Sequence, residues 1–132
     1  MDNINIVIPA NMAKVEPGYN NVSIADIDNI IDSSCLDIHA GNIIEYMPDL
    51  KKMDAIFKKI RLSGKIRITG LDLCAVATDV VYGALTPDDA RLLIAGKYLY
   101  CIQEIVELFE SKQLKVVSKK FVDNTYIVEG VR

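Results

Sequence analysis

The sequence predicts an α/β fold: a three-layer arrangement whose mostly parallel sheet ends in an antiparallel hairpin. β-branched runs alternate with amphipathic helical stripes, which is the order of a parallel sheet with helical crossovers. The last two β-rich runs, 114–122 and 125–131, flank Asp123-Asn124, a pair typical of a tight hairpin turn. We expect a single domain over residues 1–132.

The first third of the chain predicts three short strands. Residues 4–8 are a β-branched run ended by Pro9, as expected for a strand buried on both faces. A second strand is expected at 22–24 and a third at 35–40, and the polar residues between them predict loops and turns.

From residue 48 onward the hydrophobic period becomes helical. Four apolar residues fall on one stripe of an amphipathic helix: Leu50, Met53, Phe57 and Ile60. We expect that helix to end at Gly64, before an alternating run that predicts a strand over 65–69.

Three further helices are expected before the hairpin. The first covers 71–82. The second begins at Thr86-Pro87, a hydroxyl N-cap followed by proline at the first helical position, and runs to Ala95. The third covers 102–111, where the apolar residues again recur at helical spacing.

Composition and charge argue against a membrane partner and a nucleic-acid partner. The chain has 132 residues, of which 51% are hydrophobic and 25% charged, as in a soluble globular protein. No apolar run approaches the roughly 20 residues that span a bilayer, and the first residues lack the basic region of a signal peptide. We therefore expect a cytoplasmic protein without a membrane partner. The net charge of −3 argues against a nucleic-acid partner.

The cysteines and the histidine do not indicate a disulfide framework, a metal site or a general base. Cys35, Cys74 and Cys101 are odd in number and far apart, so neither a disulfide framework nor a metal site is expected. Cys74 and Cys101 are interpreted as small hydrophobic side chains. His39 lies within an apolar run, which favours a core or sheet-face role over that of a general base.

Residues 35–48 read Cys-Leu-Asp-Ile-His-Ala-Gly-Asn-Ile-Ile-Glu-Tyr-Met-Pro, and they resemble the fourth strand and following helix of class I S-adenosylmethionine-dependent methyltransferases. Residues 60–68 are similar to the glycine-containing segment that leads into the fifth strand of that family. Residues 102–131 resemble its last helix and its sixth and seventh strands. The resemblance covers about residues 35 to 132. It implies a shortened Rossmann-like fold whose last strand inserts antiparallel between its neighbours.

The chain departs from that family after the first strand. The family has a glycine-rich turn there, whereas this sequence has Val7-Ile8-Pro9. Glycine allows the backbone to approach a cofactor closely, and branched side chains do not. We therefore expect Val7 and Ile8 to occupy part of the volume that the amino-acid moiety of the cofactor takes in a usual member.

The resemblance implies S-adenosyl-L-methionine as a small-molecule cofactor, with Asp26, Asp28, Gly41 and Asn42 as the residues that bind it. Asp26 follows the second strand, where the family places an acid on the ribose hydroxyls, and Asp28 could substitute for it. The alternative is that both acids form local turns, that Gly41 permits a tight turn and that Asn42 caps the next helix. No catalytic residue or methyl acceptor is identified.

Two functions therefore stay open. One is a compact S-adenosylmethionine-dependent methyltransferase-like enzyme with an altered cofactor motif. The other is a catalytically inactive methyltransferase-fold module for binding or assembly. By analogy with other compact members, we expect a phage or viral source. A shortened sheet would leave apolar surface uncovered, so we also expect a homo-oligomer.

Overall fold

The computed structural model describes residues 3–8 and 17–132. Within them six strands form one sheet: Asn3–Val7 (β1), Asn20–Ser23 (β2), Cys35–Gly41 (β3), Ile60–Leu71 (β4), Lys115–Val122 (β5) and Thr125–Val131 (β6). The α-helices of these residues are Asp54–Phe57 (α1), Leu73–Val81 (α2), Pro87–Ile94 (α3) and Ile102–Ser111 (α4). Short 3-10 helices cover Ile24–Asn29, Ile44–Tyr46 and Leu50–Met53.

The sheet is parallel except at its C-terminal hairpin. Its strand order is β2-β1-β3-β4-β6-β5, with β1 to β4 parallel to one another. β6 lies antiparallel between β4 and β5, and Asp123 turns the hairpin with a φ of 55°. The predicted α/β fold with a mostly parallel sheet and a closing antiparallel hairpin is therefore confirmed.

The hydrophobic core lies on one face of the sheet. Alternate residues of the strands are buried there, among them Ile4, Ile6, Ile38, Ile66, Ile68 and Val128. Helices α1 and α4 cover this face and bring Phe57 and Phe109 together edge-to-face, with ring centroids 5.7 Å apart. Phe109 also packs against Gly130, where an added Cβ would fall 2.5 Å from its ring. Only glycine allows that approach of α4 to β6.

The opposite face of the sheet is polar along one row. Cross-strand pairing aligns one residue from each strand in this polar row: Asn21, Asn5, His39, Arg67, Glu129 and Ser118. His39 therefore has the sheet-face position that the sequence favoured.

The predicted helix ending at Gly64 is wrong in its second half. α1 ends at Phe57, and Ile60 already belongs to β4, where it pairs with Cys35. The Cys35 N–H donates to the Lys59 carbonyl across 2.8 Å, so sheet pairing overrides the helical stripe. Gly64 lies inside β4 instead of ending a helix.

No helix of the described residues is both long and apolar enough to cross a membrane.

Candidate cofactor crevice at the carboxyl ends of the parallel strands

The carboxyl ends of β1, β2, β3 and β4 meet at one edge of the sheet, because these strands run parallel. Residues that directly follow the four strands therefore lie along this edge, which we call the crevice, although they are far apart in the sequence. Open α/β sheets bind ligands at this edge.

Asp26 and Asp28 lie in the 3-10 helix that begins directly after β2. Ser23 caps this helix by accepting a hydrogen bond from the Ala25 N–H, at 3.3 Å. Both carboxylates are exposed, and within the described residues neither makes a hydrogen bond or an ion pair. The local turn is therefore formed by Ser23, and the two acids stay available at the β2 end of the crevice.

The β1 end of the crevice is apolar. Val7 is 7% exposed and Ile8 is 8% exposed, and Ile8 belongs to the hydrophobic core. Two branched side chains are thus buried where the family that the sequence resembles has its glycine-rich turn. Pro9, the third residue of the altered motif, lies outside the described residues.

Asn42 joins the ends of β3 and β4. Its backbone adopts a φ of 56°, a left-handed conformation that asparagine tolerates better than most residues. Its N–H donates to the Thr69 carbonyl across 2.9 Å, and the Thr69 hydroxyl donates to its Oδ1, also across 2.9 Å. The tight turn that we considered at Gly41 is therefore made by Asn42, and Gly41 is the last residue of β3. It does not cap the next helix, whose N-cap is Ile43.

Two buried carboxylates lie just below this edge. Glu45 is 2% exposed, and its Oε1 accepts from the Leu71 N–H at 2.7 Å. Asp72 is 1% exposed and accepts from the Ala75 N–H at 2.8 Å and from the Ile102 N–H at 2.6 Å. Asp72 is thus the N-cap of α2. Both carboxylates accept hydrogen bonds from backbone N–H groups, so their role is structural.

Tyr126 fills the interior next to these carboxylates. Its side chain is fully buried, and its hydroxyl has no hydrogen-bond partner among the described residues. Burial raises its pKa above the ordinary value, and the negative charges of Glu45 and Asp72 add to that rise. The hydroxyl lies close to Gly70, where an added Cβ would be 2.5 Å from it.

His39 belongs to a different site, on the polar sheet face. It stacks on Tyr19 with ring centroids 4.2 Å apart, and the Arg67 guanidinium lies 3.0 Å from its ring nitrogens. Asp37 accepts a hydrogen bond from Tyr19 and lies 3.6 Å from the Lys65 ammonium. A small cavity of about 190 Å³ lies among these groups. The imidazole is thus held within a charge network and is not directed toward the strand ends.

Solved structures share this fold. A complex of the Trm112 methyltransferase activator with a putative methyltransferase from Haloferax volcanii matches 98% of this chain and 72% of that one, with a TM-score of 0.64 and 11% identity. An S-adenosylmethionine-dependent methyltransferase from Mesorhizobium loti matches 98% of this chain and 81% of its own, with a TM-score of 0.63 and 10% identity. A possible histamine N-methyltransferase from Thermotoga maritima matches 97% and 72%, with a TM-score of 0.63 and 13% identity.

The chain has a class I methyltransferase-like fold. No protein-family model and no curated protein matches the sequence, so the likeness lies in the fold.

In this methyltransferase-like fold the strand order reverses between β1 and β3. β1 is followed by β2 on one side, and the chain then crosses to β3 on the other side. Such a reversal opens a crevice between the two strands. Asn42 lies at the β3 side of it and Ile8 at the β1 side.

Sequence reasoning missed Thr69 and Tyr126 as neighbours of the crevice. Thr69 lies within the alternating strand that the sequence predicted, but nothing in the pattern pairs it with Asn42, 27 residues earlier. Tyr126 follows the hairpin turn by two residues and is placed beside β4 only by the antiparallel insertion of β6. The resemblance, which implies that insertion, was the only signal that could have found it.

Proposed function

We propose that this protein is a compact methyltransferase-like protein that binds S-adenosyl-L-methionine at the carboxyl ends of β1 to β4. The observation that carries the proposal is the reversal of strand order between β1 and β3, with polar groups directly after β2 and at the end of β3. The methyltransferase-like fold of the solved structures supports the same ligand class.

The polar groups of the crevice fit the nucleoside part of this cofactor. Asp26 and Asp28 present exposed carboxylates after β2, and a carboxylate accepts hydrogen bonds from a ribose diol. Asn42 is held through its Oδ1 by Thr69, which leaves its amide nitrogen as a donor. Gly41 adds no side chain beside it, so a ligand can approach the end of β3 closely.

The β1 end fits the cofactor less well. Val7 and Ile8 bury branched side chains in place of a glycine turn. Burial of each contributes roughly 1.5 to 3 kcal/mol to the fold. We therefore expect the nucleoside part to contribute most of the affinity, and the amino-acid part to bind without the close backbone contact that glycine permits.

Catalysis in this site would depend on how the protein positions the cofactor relative to the methyl acceptor. When bound, S-adenosylmethionine supplies an electrophilic methyl group on its sulfonium sulfur. The two buried carboxylates nearest the crevice, Glu45 and Asp72, are engaged by backbone N–H groups, so they are not poised to remove a proton from an acceptor. The protein's own contribution is to orient the cofactor and exclude water, an effect that accelerates transfer through proximity.

Isothermal titration with S-adenosylhomocysteine tests the proposal. The wild type should bind one equivalent, and the double variant Asp26→Asn/Asp28→Asn should bind at least about tenfold more weakly, because hydrogen bonds to a charged acceptor are worth roughly 1.5 to 3 kcal/mol. Glu110→Gln, which changes an exposed carboxylate of α4, is the matched control and should leave the affinity unchanged. Absence of heat at millimolar ligand would refute the proposal.

A second candidate is an inactive assembly module, and two observations favour it. Val7 and Ile8 are buried in place of the glycine turn, as a fold without a cofactor would allow. Helix α2 also exposes apolar side chains at both ends, with Leu73 at 46% and Val81 at 76%, and Tyr82 directly after it is 83% exposed. Self-association would bury such a surface.

Light scattering at two protein concentrations tests the second candidate. A homo-oligomer built on α2 should dissociate in the variant Val81→Glu, whereas Leu62→Glu, at a residue of β4 that is 78% exposed, should leave it intact. A 14.7 kDa monomer at high concentration would exclude the homo-oligomer.

A further inference from the structure

Cys74 and Cys101 form a dithiol pair. Their sulfur atoms lie 3.0 Å apart, although 27 residues separate them in the sequence. Cys74 is in the first turn of α2 and Cys101 is the N-cap of α4. Both are free thiols in the structure.

The backbone on both sides of the pair is fixed by hydrogen bonds. Asp72 accepts from the N–H of Ala75, which follows Cys74, and from the N–H of Ile102, which follows Cys101. One residue before each cysteine, the Leu73 N–H donates to the Tyr100 carbonyl across 3.1 Å. The two sulfurs are therefore held close to each other by contacts that do not involve them.

The two thiols differ in their access to solvent. Cys74 is exposed, whereas Cys101 is half-buried. A hydrogen bond to Cys74 raises the pKa of Cys101 to about 11, and burial adds to the rise. At neutral pH the Cys101 sulfur therefore keeps its proton and the exposed Cys74 sulfur is the one that an oxidant in solution reaches first.

We propose that Cys74 and Cys101 are a redox-modification site that hydrogen peroxide converts into a reversible disulfide between α2 and α4. The Cys74 sulfur attacks one peroxide oxygen, the O–O bond breaks, and the products are a Cys74 sulfenic acid and water. The Cys101 sulfur then displaces the hydroxyl group from the Cys74 sulfur, and its proton leaves with that hydroxyl as a second water. In total two thiols lose two hydrogen atoms to one peroxide, which is reduced to two waters.

Peptide mapping without reductant tests this site on the intact protein. Trypsin releases Cys74 in peptide 68–91, Cys101 in peptide 98–112 and Cys35 in peptide 15–51. After peroxide treatment, peptides 68–91 and 98–112 should be found joined in the monomer, and dithiothreitol should separate them. Joined peptides that include Cys35, two separate sulfinic acids, or unchanged thiols would each overturn the proposal.

Two serine variants test the order of the steps. Serine is a good N-cap and Cys74 is exposed, so Cys101→Ser and Cys74→Ser should both keep the fold. With peroxide and dimedone, which traps sulfenic acids, Cys101→Ser should be labelled on Cys74, and the wild type should lose most of that label to the disulfide. Cys74→Ser should remain unlabelled on Cys101. Equal labelling of Cys74 in the wild type and in Cys101→Ser would show that Cys101 does not resolve the sulfenic acid.

Discussion

The Thr69 hydroxyl donates a hydrogen bond to the Asn42 amide oxygen across 2.9 Å, and the Thr69 carbonyl accepts the Asn42 N–H at the same distance. One residue of β4 thus fixes both the backbone and the side chain at the end of β3. Because Asn42 has a left-handed backbone, these two bonds hold a conformation that a free chain rarely adopts. The orientation of the Asn42 amide in the crevice therefore depends on Thr69.

Replacement of Thr69 by valine keeps its shape and removes its hydroxyl. A hydrogen bond of this kind is worth about 1 kcal/mol, so we expect a melting temperature lower by roughly 4 °C. The affinity for S-adenosylhomocysteine should also fall, because the Asn42 amide loses its orientation. Thr69→Ser keeps the hydroxyl and is the control. Equal ligand affinity in the valine and serine variants would show that the orientation of the Asn42 amide does not contribute to ligand binding.

Gly70 is expected to be intolerant of any side chain. An alanine Cβ at this position would lie 2.5 Å from the Tyr126 hydroxyl oxygen and 3.2 Å from a methyl group of Ile44. Overpacking of a core costs about 1 to 3 kcal/mol, so Gly70→Ala should lower the urea midpoint clearly. Tyr126→Phe removes the hydroxyl and should recover part of that loss in the double variant. Additive effects of the two substitutions would show that contact with the Tyr126 hydroxyl is not the cause of the lower urea midpoint.

The sequence pattern predicted burial more reliably than local conformation. Leu50, Met53, Phe57 and Ile60 were expected on one helical stripe; the last three are buried and Leu50 is half-buried. Ile60 is nevertheless in a strand, because its pairing with Cys35 is a contact between residues 25 positions apart. Ser63, with a φ of 67°, lies within an irregularity of β4 between Ile60 and Lys65, and a helical periodicity carries no information about such a feature.

The sequence predicted which residues lie at the crevice, but it did not predict the contacts between residues that are distant in the chain. Asp26, Asp28, Gly41 and Asn42 follow predicted strands, so parallel topology alone places them at one edge. Their binding role stays a prediction. The pairing of Cys74 with Cys101 could not be read from spacing, since it depends on the buried carboxylate of Asp72, which draws the starts of α2 and α4 together.

The ion pair between Lys59 and Asp32 makes stability depend on pH. Lys59 is 5% exposed, and its ammonium donates to Asp32 at 2.6 Å and to the Ile30 carbonyl at 2.8 Å. The hydrogen bond and the charge of Lys59 lower the pKa of Asp32. A lowered folded-state pKa gives stability that is complete above the ordinary value of about 4 and is lost as pH falls through the folded value.

Urea unfolding of wild type and Asp32→Asn at several pH values measures this contribution. At pH 7 the variant should have the lower midpoint, and the two midpoints should converge in strong acid. Glu110→Gln, an exposed carboxylate without an ion pair in the described part of the chain, should show no such pH-dependent difference. A constant gap between Asp32→Asn and wild type down to pH 2 would contradict the assignment.

Ile8→Gly tests whether the altered turn is part of the core. The side chain is 8% exposed within the hydrophobic core, so its removal should cost about 3 to 5 kcal/mol, against about 1 kcal/mol for Ile8→Val. The ligand-induced rise in melting temperature should be no larger than in the wild type, because removal of the side chain adds no polar contact to the ligand. A stable Ile8→Gly variant with a larger rise would show that Ile8 only blocks the crevice.

The central claim is that the ends of β2 and β3 bind the nucleoside part of S-adenosylmethionine. Titration of ¹⁵N-labelled protein with S-adenosylhomocysteine, followed by amide chemical shifts, tests it most directly. We predict saturable shifts at Asp26, Asp28, Gly41 and Asn42, and none at Lys112 or Arg132, which line a groove containing Asp54 and Leu114. Unchanged shifts at the four crevice residues, with millimolar ligand present, would contradict the claim.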